Sequence, residues 1–315
     1  MRERRLTQTF GNRYNLLVIL GPTASGKTEL AVRLAERLDG EIISADSRQV
    51  YRGMDLGTGK DLCQYDREER TVPHHLIDIL DPHEEFSVFD FQRSFYHCVQ
   101  DITRRQKVPL LVGGTGLYLD AVLRGYRLPA VPENGKLRAE LVFQEIEALR
   151  GRLRATRTEL HNDTDLQDRG RLIRAIEIAE CPQDERSCCA LPPVPLTPFV
   201  VGIRCERSIL REKITLRLHA RMAAGLIEEV QSLRRRGISW ERLDAFGLEY
   251  RYIARYLQGV MTRDEMTRVL ATRIHQFAKR QETWFRGIER KGVTIHWIAA
   301  PDETQVLALI GNVGA

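Results

Sequence analysis

The stretch "YNLLVILGPTASGKTEL", residues 14–30, decides the fold of this chain. Residues 14–20 are a short apolar run that predicts a buried strand. Residues 28–40 have the spacing of a helix, which we expect Gly40 to close. Between them, the motif G-x-x-x-x-G-K-[ST] is formed by Gly21, Gly26, Lys27 and Thr28. Such a turn points backbone N–H groups at an anion, so the stretch predicts a phosphate-binding loop, or P-loop.

Strands and helices alternate on the C-terminal side of this loop. Apolar runs predict further strands at residues 41–45, 74–80 and 107–114. Helical spacing predicts helices at residues 87–106 and 115–125. Because strands that alternate with helices form parallel sheets, the predicted fold class is α/β, a P-loop parallel sheet flanked by helices.

The pattern changes after residue 125. Residues 136–180 are almost entirely helical in pattern and rich in Arg and Glu, and a Pro-rich loop follows at residues 181–198. Apolar runs at residues 199–205 and 292–298 are predicted to rejoin the sheet, with helices over residues 207–285 between them. We therefore predict an α/β core with a helical C-terminal part and a helical insertion domain. The core comprises residues 1–125 and 196–315, and the insertion comprises residues 126–195.

The composition is that of a globular protein without a membrane segment. The chain has 315 residues, of which 43% are hydrophobic and 29% charged. It has no apolar run near the roughly 18 residues that a membrane-spanning helix needs. The N-terminal sequence "MRERRLTQTFGNR" is basic but lacks the apolar segment and cleavage site of a signal peptide. We therefore expect a cytoplasmic protein that contacts no membrane.

Charge and cysteine content limit the possible partners. The net charge of +5 is weak evidence for a polyanionic partner. Basic residues cluster within residues 150–174 and 268–291, a pattern that suits a binding surface, although a solvated helix face produces it too. No cysteine pair has C-x2-C spacing, so we expect reduced thiols, with a metal-binding loop near residues 181–189 as the alternative. The cysteines are Cys63, Cys98, Cys181, Cys188, Cys189 and Cys205.

The P-loop alone would suit an ATP-dependent kinase, but one expected feature is missing. Such enzymes carry an acidic Mg²⁺ ligand after a later buried strand. Here the strand at residues 107–114 runs into Thr115 with no Asp or Glu at its end. The nearest carboxylate is Asp46, after the strand at residues 41–45. Because the carboxyl ends of parallel strands face the ligand, Asp46 is predicted to act there as a base. The alternative is that it caps a turn or binds Mg²⁺ through water.

Six stretches, in order along the chain, resemble the tRNA dimethylallyltransferases, also called tRNA isopentenyltransferases. The resemblance implies that a dimethylallyl group moves from dimethylallyl diphosphate to N6 of adenosine 37, beside the tRNA anticodon. The P-loop would then hold a diphosphate leaving group. The stretches are "GPTASGKT" (21–28), "SADSRQVYRGMDLGTGK" (44–60), "HHLIDI" (74–79), "FSVFDF" (86–91), "LLVGGTGLYLDA" (110–121) and "ATRIHQFAKRQETWFR" (271–286).

The resemblance and the chemistry together imply a set of catalytic residues. Departure of diphosphate requires positive charge, which Lys27, the loop amides and Mg²⁺ held by Thr28 would supply. By resemblance, Thr23 contacts the leaving oxygen, Arg217 reaches the diphosphate, and Asp46 accepts the proton of N6. For Arg217, a surface helix position is the alternative. The implied diphosphate-binding residues are Gly21, Pro22, Thr23, Ala24, Ser25, Gly26, Lys27 and Thr28.

The target base lies in a stacked anticodon loop, so the enzyme must extract it to reach N6. The resemblance therefore also implies RNA contacts. This chain departs from the family pattern at Gln167, which replaces an Asn, and where Leu248 and Glu249 separate Gly247 from Tyr250. The implied tRNA-binding residues are Asp46, Ser47, Arg48, Gln49, Thr115, Arg138, Arg171, Arg174, Arg251, Arg273, Lys279 and Arg280.

One row of residues near the C-terminus combines cations with aromatic rings. Arg273, Phe277, Arg280 and Trp284 recur at spacings of 4, 3 and 4 residues, on one helical face. Such a row suits a surface for phosphates and bases. We favour the other reading for the rings, in which Phe277 and Trp284 belong to the core and only the basic residues are exposed.

Three other functions remain as alternatives. A P-loop small-molecule kinase lacks the acidic strand end, and an RNA-binding protein with a nucleotide-sensing loop gives Asp46 no role. An adenylate-prenylating enzyme would share much of the core. The basic insertion and the Arg-rich C-terminal part favour tRNA over AMP as the substrate. We expect the tRNA anticodon stem-loop and dimethylallyl diphosphate as partners, Mg²⁺ as cofactor, and a monomer.

Overall fold

The computed structural model describes residues 10–11, 13–66, 71–156, 168–182 and 195–312. The chain divides into two compact units, Met1–Tyr126 with Pro192–Ala315, and Arg127–Leu191. Some sequence predictions lie outside the described residues. They concern most of the N-terminal sequence, Gln167, Cys188, Cys189 and most of the Pro-rich loop.

The regular elements are as follows, in chain order. The strands are β1 (Leu16–Leu20), β2 (Gly40–Ala45), β3 (His74–His75), β4 (Val108–Gly113), β5 (Pro198–Ile203) and β6 (His296–Ile298). The helices are α1 (Lys27–Leu38), α2 (Val88–Arg104), α3 (Gly116–Leu123), α4 (Gly135–Leu141), α5 (Ile146–Thr156), α6 (Arg169–Glu180), α7 (Arg207–Ala223), α8 (Leu226–Arg235), α9 (Trp240–Ala245), α10 (Leu248–Leu257), α11 (Arg263–Arg290) and α12 (Glu303–Asn312).

The first unit is built on a six-stranded sheet in the order β3-β2-β4-β1-β5-β6. All neighbouring strands are parallel. Alternate residues of β1 pack into two apolar clusters, as the alternation of side chains along a strand requires. The sheet is therefore covered by helices on both faces, and the predicted α/β class with late strands rejoining the sheet is confirmed.

The carboxyl ends of β1, β4 and β2 lie side by side, since β4 pairs with both other strands. The P-loop follows β1, Gly114 and Thr115 follow β4, and Asp46 follows β2. The sheet topology thus brings three sequence segments to one edge, where ligands bind in parallel α/β sheets.

Two local predictions were wrong. The strand predicted at residues 74–80 ends at His75, because Leu76 and Asp78 adopt left-handed backbone angles, with φ of 61° and 54°. Helix α1 is closed by Asp39 at φ 52°, and Gly40 is instead the first residue of β2. A Cβ on Gly40 would lie 2.7 Å from the Val108 carbonyl oxygen, so glycine permits the close approach of β4.

The second unit has a small core of its own. Helices α4, α5 and α6 bury the apolar residues Leu141, Leu149, Leu153, Leu172, Ile173 and Ile176. In neither unit is any described helix long and apolar enough to cross a membrane.

Candidate active site

The loop between β1 and α1, residues 21–28, has the backbone of an anion cradle. Ala24 and Gly26 adopt positive φ values of 64° and 85°, which turn the chain sharply before the helix. No side chain caps the first turn of α1, so its N–H groups stay available to a ligand. Lys27 folds back over the loop, with Nζ 3.3 Å from the Pro22 carbonyl oxygen. All eight predicted diphosphate-binding residues lie in this one turn.

Three cationic side chains, those of Lys27, Arg217 and Arg221, lie at this loop or close to it. The guanidinium of Arg217, on α7, donates to the hydroxyl of Thr23. The pKa of the Lys27 ammonium is lowered to about 8, first by burial and then by the charge of Arg217, while Asp46 opposes the shift. Burial and Arg221 also lower the pKa of Arg217, although an arginine stays protonated at neutral pH. A phosphate group would compensate this concentration of positive charge.

Asp46 lies at the end of β2 with one carboxylate oxygen engaged. Its Oδ1 accepts from the backbone N–H of Arg48 at 2.9 Å. The other oxygen, Oδ2, has no hydrogen-bond partner in the part of the chain that the structure describes. The next residue is also fixed, because the Ser47 N–H donates to the Thr115 hydroxyl at 3.1 Å. Asp46 is therefore held in place with an acceptor available to a ligand.

The remaining predicted residues of this turn are half-buried beside Asp46. The Gln49 side chain donates to the Gly59 carbonyl oxygen at 3.1 Å and accepts from the Ser44 hydroxyl at 2.9 Å. Arg48 lies close to the start of α10, since a Cβ on Gly247 would be 3.8 Å from its Nε. The structure thus brings Asp46, Ser47, Arg48, Gln49 and Thr115 together.

A metal ion would find few protein ligands at this edge. Among the described residues, no group of three or more His, Cys, Asp or Glu side chains could hold one. Magnesium commonly binds through one or two protein groups and the phosphates of a substrate. The Thr28 hydroxyl, in the first turn of α1, fits that mode because it adjoins the anion cradle.

Helix α11 carries three predicted RNA-contacting residues on its exposed surface, Arg273, Lys279 and Arg280. The preferred reading of the aromatic residues was wrong: Phe277 is 39% exposed and Trp284 37% exposed. The core-facing side of the helix is instead formed by Met266, Leu270, Ile274, Ala278, Gln281, Phe285 and Ile288. Arg280 lies over the Phe277 ring, 5.9 Å from its centroid, so cations and rings alternate on one open face.

Arg251, on α10, has protein partners of its own. Its guanidinium donates to the Asp244 carbonyl oxygen at 2.9 Å and pairs with the Asp244 carboxylate at 3.1 Å. Its predicted RNA contact would therefore have to add to, or replace, these bonds.

The predicted residues of the second unit surround one buried carboxylate. The Glu177 side chain is inaccessible to solvent and pairs with Arg138 at 2.8 Å and Arg174 at 3.1 Å. Burial raises the pKa of Glu177, but hydrogen bonds from Arg138, the Asn134 amide and Arg174 outweigh it, and the pKa lies below its usual value. Arg171 lies in the first turn of α6, where its N–H donates to the Asp168 side chain. Arg138 and Arg174 therefore hold this unit together, whatever else they bind.

Sequence reasoning missed two residues at the sheet edge. Arg221 is 8% exposed, pairs with Asp61 at 3.3 Å, and lies one helical turn beyond Arg217, a spacing that could have revealed it. Gln281 is 6% exposed and hydrogen-bonds to the P-loop. A polar residue at a core-facing position of a helical pattern was its only signal.

The fold and the site define a P-loop α/β enzyme in which a cationic phosphate loop faces a carboxylate. A model of the IPP transferase family matches residues 49–288, and one of isopentenyl transferases matches residues 14–70. The protein named tRNA dimethylallyltransferase 1 in Geotalea uraniireducens is 56% identical over 284 residues, covering 90% of this chain and 92% of that one. The tRNA dimethylallyltransferase 2 of Syntrophotalea carbinolica is 57% identical over 286 residues, covering 90% and 94%.

A solved structure gives the same result. The tRNA isopentenylpyrophosphate transferase of Bacillus halodurans is 35% identical, with a TM-score of 0.67, and the match covers 96% of this chain and 95% of that one. The chain belongs to the IPP transferase family, and the resemblance derived from its motifs is confirmed.

Proposed function

We propose that this protein transfers the dimethylallyl group of dimethylallyl diphosphate to N6 of adenosine 37 in tRNA and releases diphosphate. One observation carries the proposal. The Arg217–Thr23 contact and Lys27 form a cationic cradle at the end of β1, and Asp46 presents an available carboxylate oxygen at the end of β2. Such an arrangement suits the departure of an anion on one side and the removal of a proton on the other.

On the leaving-group side, the bond between the allylic carbon and the diphosphate oxygen breaks, and diphosphate keeps the electron pair. Arg217, Lys27 and the N–H groups at the start of α1 would bind the negative charge as it develops. A bound Mg²⁺, held by Thr28 and phosphate oxygens, would supply further positive charge. The Thr23 hydroxyl accepts from Arg217 and would donate its own proton to the leaving oxygen.

On the nucleophile side, N6 of the adenine forms the new bond to carbon. The exocyclic nitrogen is a poor nucleophile, because its lone pair is delocalised into the ring. Asp46 would accept its proton through Oδ2 as the bond forms, which is worth about 10²- to 10⁴-fold in rate. The Ser47–Thr115 hydrogen bond keeps this turn in position.

Binding of tRNA would use the exposed surfaces rich in arginine. The α11 row of Arg273, Phe277, Arg280 and Trp284 offers cations for phosphates and rings for unstacked bases. We propose that the helical unit formed by residues 127–191 contributes further contacts. We also propose that the protein works as a monomer in the cytoplasm.

A transfer assay tests the function directly. Purified protein would be mixed with Mg²⁺, radiolabelled dimethylallyl diphosphate and unmodified tRNA. A tRNA with another base at position 37 serves as the matched control, and AMP is offered in a parallel tube. We expect label only in the tRNA that carries adenosine 37.

Other outcomes would overturn the proposal. Label in AMP would assign the chain to adenylate prenylation. The absence of label, together with consumption of ATP in a separate tube, would assign it to the kinases.

A further inference from the structure

Gln281 joins two segments of the site that the sequence leaves far apart. It lies on α11, is 6% exposed, and uses both ends of its amide. Its Oε1 accepts from the backbone N–H of Thr23 at 2.9 Å, and its Nε2 donates to the Gly114 carbonyl oxygen at 2.8 Å. One side chain therefore links the P-loop after β1 to the turn after β4.

The turn after β4 is shaped to admit this contact. A Cβ on Gly114 would overlap Nε2 of Gln281, and a Cβ on Gly116 would overlap the Trp284 ring. Both glycines thus permit α11 to approach more closely than any larger residue would allow. Two α11 side chains, Gln281 and Trp284, which lie about one helical turn apart, depend on this close approach.

The link extends to the proposed base. Gly114 precedes Thr115, whose hydroxyl accepts from the Ser47 N–H, and Ser47 follows Asp46. Gln281 thereby stands between the residues proposed to bind the leaving group and those proposed to activate the nucleophile. It also occupies the Thr23 N–H, which keeps that donor directed away from the anion cradle.

We propose that Gln281 is a positioning residue, which sets the distance between the diphosphate cradle and the Asp46 turn. A displacement needs nucleophile, carbon and leaving group in line, and small errors in their placement are costly in rate. The inference rests on the proposed function, since it assigns a role within that reaction.

Two glutamines of the chain allow a matched test. Gln281→Met keeps the length and bulk of the side chain but removes both hydrogen bonds. Gln92→Met is the control, because Gln92 is 3% exposed and also makes two hydrogen bonds to backbone, donating to the carbonyl oxygens of Ala121 at 3.0 Å and Tyr126 at 2.9 Å. Each variant thus removes two hydrogen bonds between a buried side chain and the backbone, but only Gln281→Met removes bonds at the site. The readouts are melting temperature, the Kd values of tRNA and inorganic diphosphate, and the single-turnover rate constant with both substrates saturating.

We expect Gln281→Met to lower the single-turnover rate constant by about 10- to 100-fold, with tRNA affinity unchanged. Gln92→Met should lower the melting temperature to a similar extent and leave the rate constant within about twofold of wild type. Equal rate constants for Gln281→Met and wild type, or equal losses in both variants, would overturn the proposal. An inactive wild-type protein would instead refute the proposed function.

A second variant tests the positioning role of Gln281 even if Gln281→Met does not fold. In Gln281→Glu, the ionised carboxylate still accepts from Thr23 but cannot donate to Gly114. Its protonated form does both, and burial of such a carboxyl raises its pKa. The ratio of variant to wild-type rate constants should therefore rise as the pH falls from about 8.5 to about 5.5. A constant ratio would contradict the positioning role.

Discussion

Asp46 is the residue on which the proposed proton transfer depends. Asp46→Asn keeps an oxygen for the Arg48 N–H, which Oδ1 binds at 2.9 Å, but the amide cannot accept the N6 proton. We expect the single-turnover rate constant to fall by about 10² or more, with the Kd values of tRNA and diphosphate unchanged.

The control for this variant is Asp101→Asn, because Asp101 is an exposed carboxylate on α2 that pairs with Arg105. It should leave the rate constant unchanged. Near-normal turnover by Asp46→Asn would remove Asp46 from the role of base.

We expect Lys27 to make the proposed diphosphate binding sensitive to pH. Its pKa of about 8 in the ligand-free protein means that the ammonium loses its proton above this pH. A bound anion favours the charged form, so affinity should be full below about pH 8 and fall as the pH rises beyond it. Lys27→Arg stays protonated throughout. We expect the wild-type Kd for inorganic diphosphate to rise up to about 30-fold more than that of Lys27→Arg between about pH 7 and pH 9.5.

This comparison cancels the ionisation of diphosphate itself, because both proteins bind the same ligand. Parallel curves for the two proteins would mean that Lys27 does not titrate in contact with the anion.

At the scale of the element, the two faces of helix α11 have different roles, one in packing and one in the proposed binding of tRNA. The buried side of α11 packs into the core of the first unit and carries Gln281. The exposed side carries the row of Arg273, Phe277, Arg280 and Trp284. Arg280→Ala should weaken tRNA binding and reduce the slope of log Kd against log salt by about 0.7 to 0.9, the loss of one phosphate contact.

Arg93→Ala provides a matched control on α2. Arg93 is also exposed and lies 5.7 Å from the centroid of the Phe89 ring, as Arg280 lies 5.9 Å from that of Phe277. Its removal should leave the salt slope unchanged. An unchanged slope in Arg280→Ala as well would exclude Arg280 from the phosphate contacts.

For the whole molecule, the division into two compact units should allow tRNA binding to be weakened without a change in diphosphate binding. Glu177→Ala leaves Arg138 and Arg174 without their buried partner. Removal of one side of a fully buried ion pair typically costs about 3–5 kcal/mol, and the cost here should be smaller because both arginine side chains are 36% exposed. We expect faster hydrogen exchange in α4, α5 and α6 and weaker tRNA binding, with the Kd of inorganic diphosphate unchanged.

Glu147→Ala is the control within the same unit. Its side chain is 76% exposed and pairs with Arg150 on the surface of α5, a type of pair worth about 0–1 kcal/mol. This variant should change neither hydrogen exchange in α4, α5 and α6 nor the Kd values of tRNA and diphosphate. A loss of diphosphate binding in Glu177→Ala would show that the two units do not act separately.

The sequence predicted the sheet and the P-loop well, because the patterns that indicate them lie within short stretches of consecutive residues. The apolar run at β1 and the spacing from Gly21 to Thr28 fix the backbone through local sterics and hydrogen bonding. Predictions failed where local patterns were ambiguous. The run at residues 74–80 looks like a strand until Leu76 turns into the left-handed region. The rings of Phe277 and Trp284 look like core residues until the opposite face of α11 is seen to be buried.

The sequence by itself determined the class of fold, the anion cradle and the family, since these follow from short-range order and from motifs in sequence. Only the tertiary structure decided which distant residues meet. Thr23 and Gln281 are 258 residues apart, and Thr23 and Arg217 are 194 apart, yet both pairs are in hydrogen-bond contact. Such contacts depend on the strand order β2-β4-β1 and on the packing of α7 and α11 against the sheet. No local sequence pattern predicts these contacts, because they form only when the whole core folds and brings distant segments together.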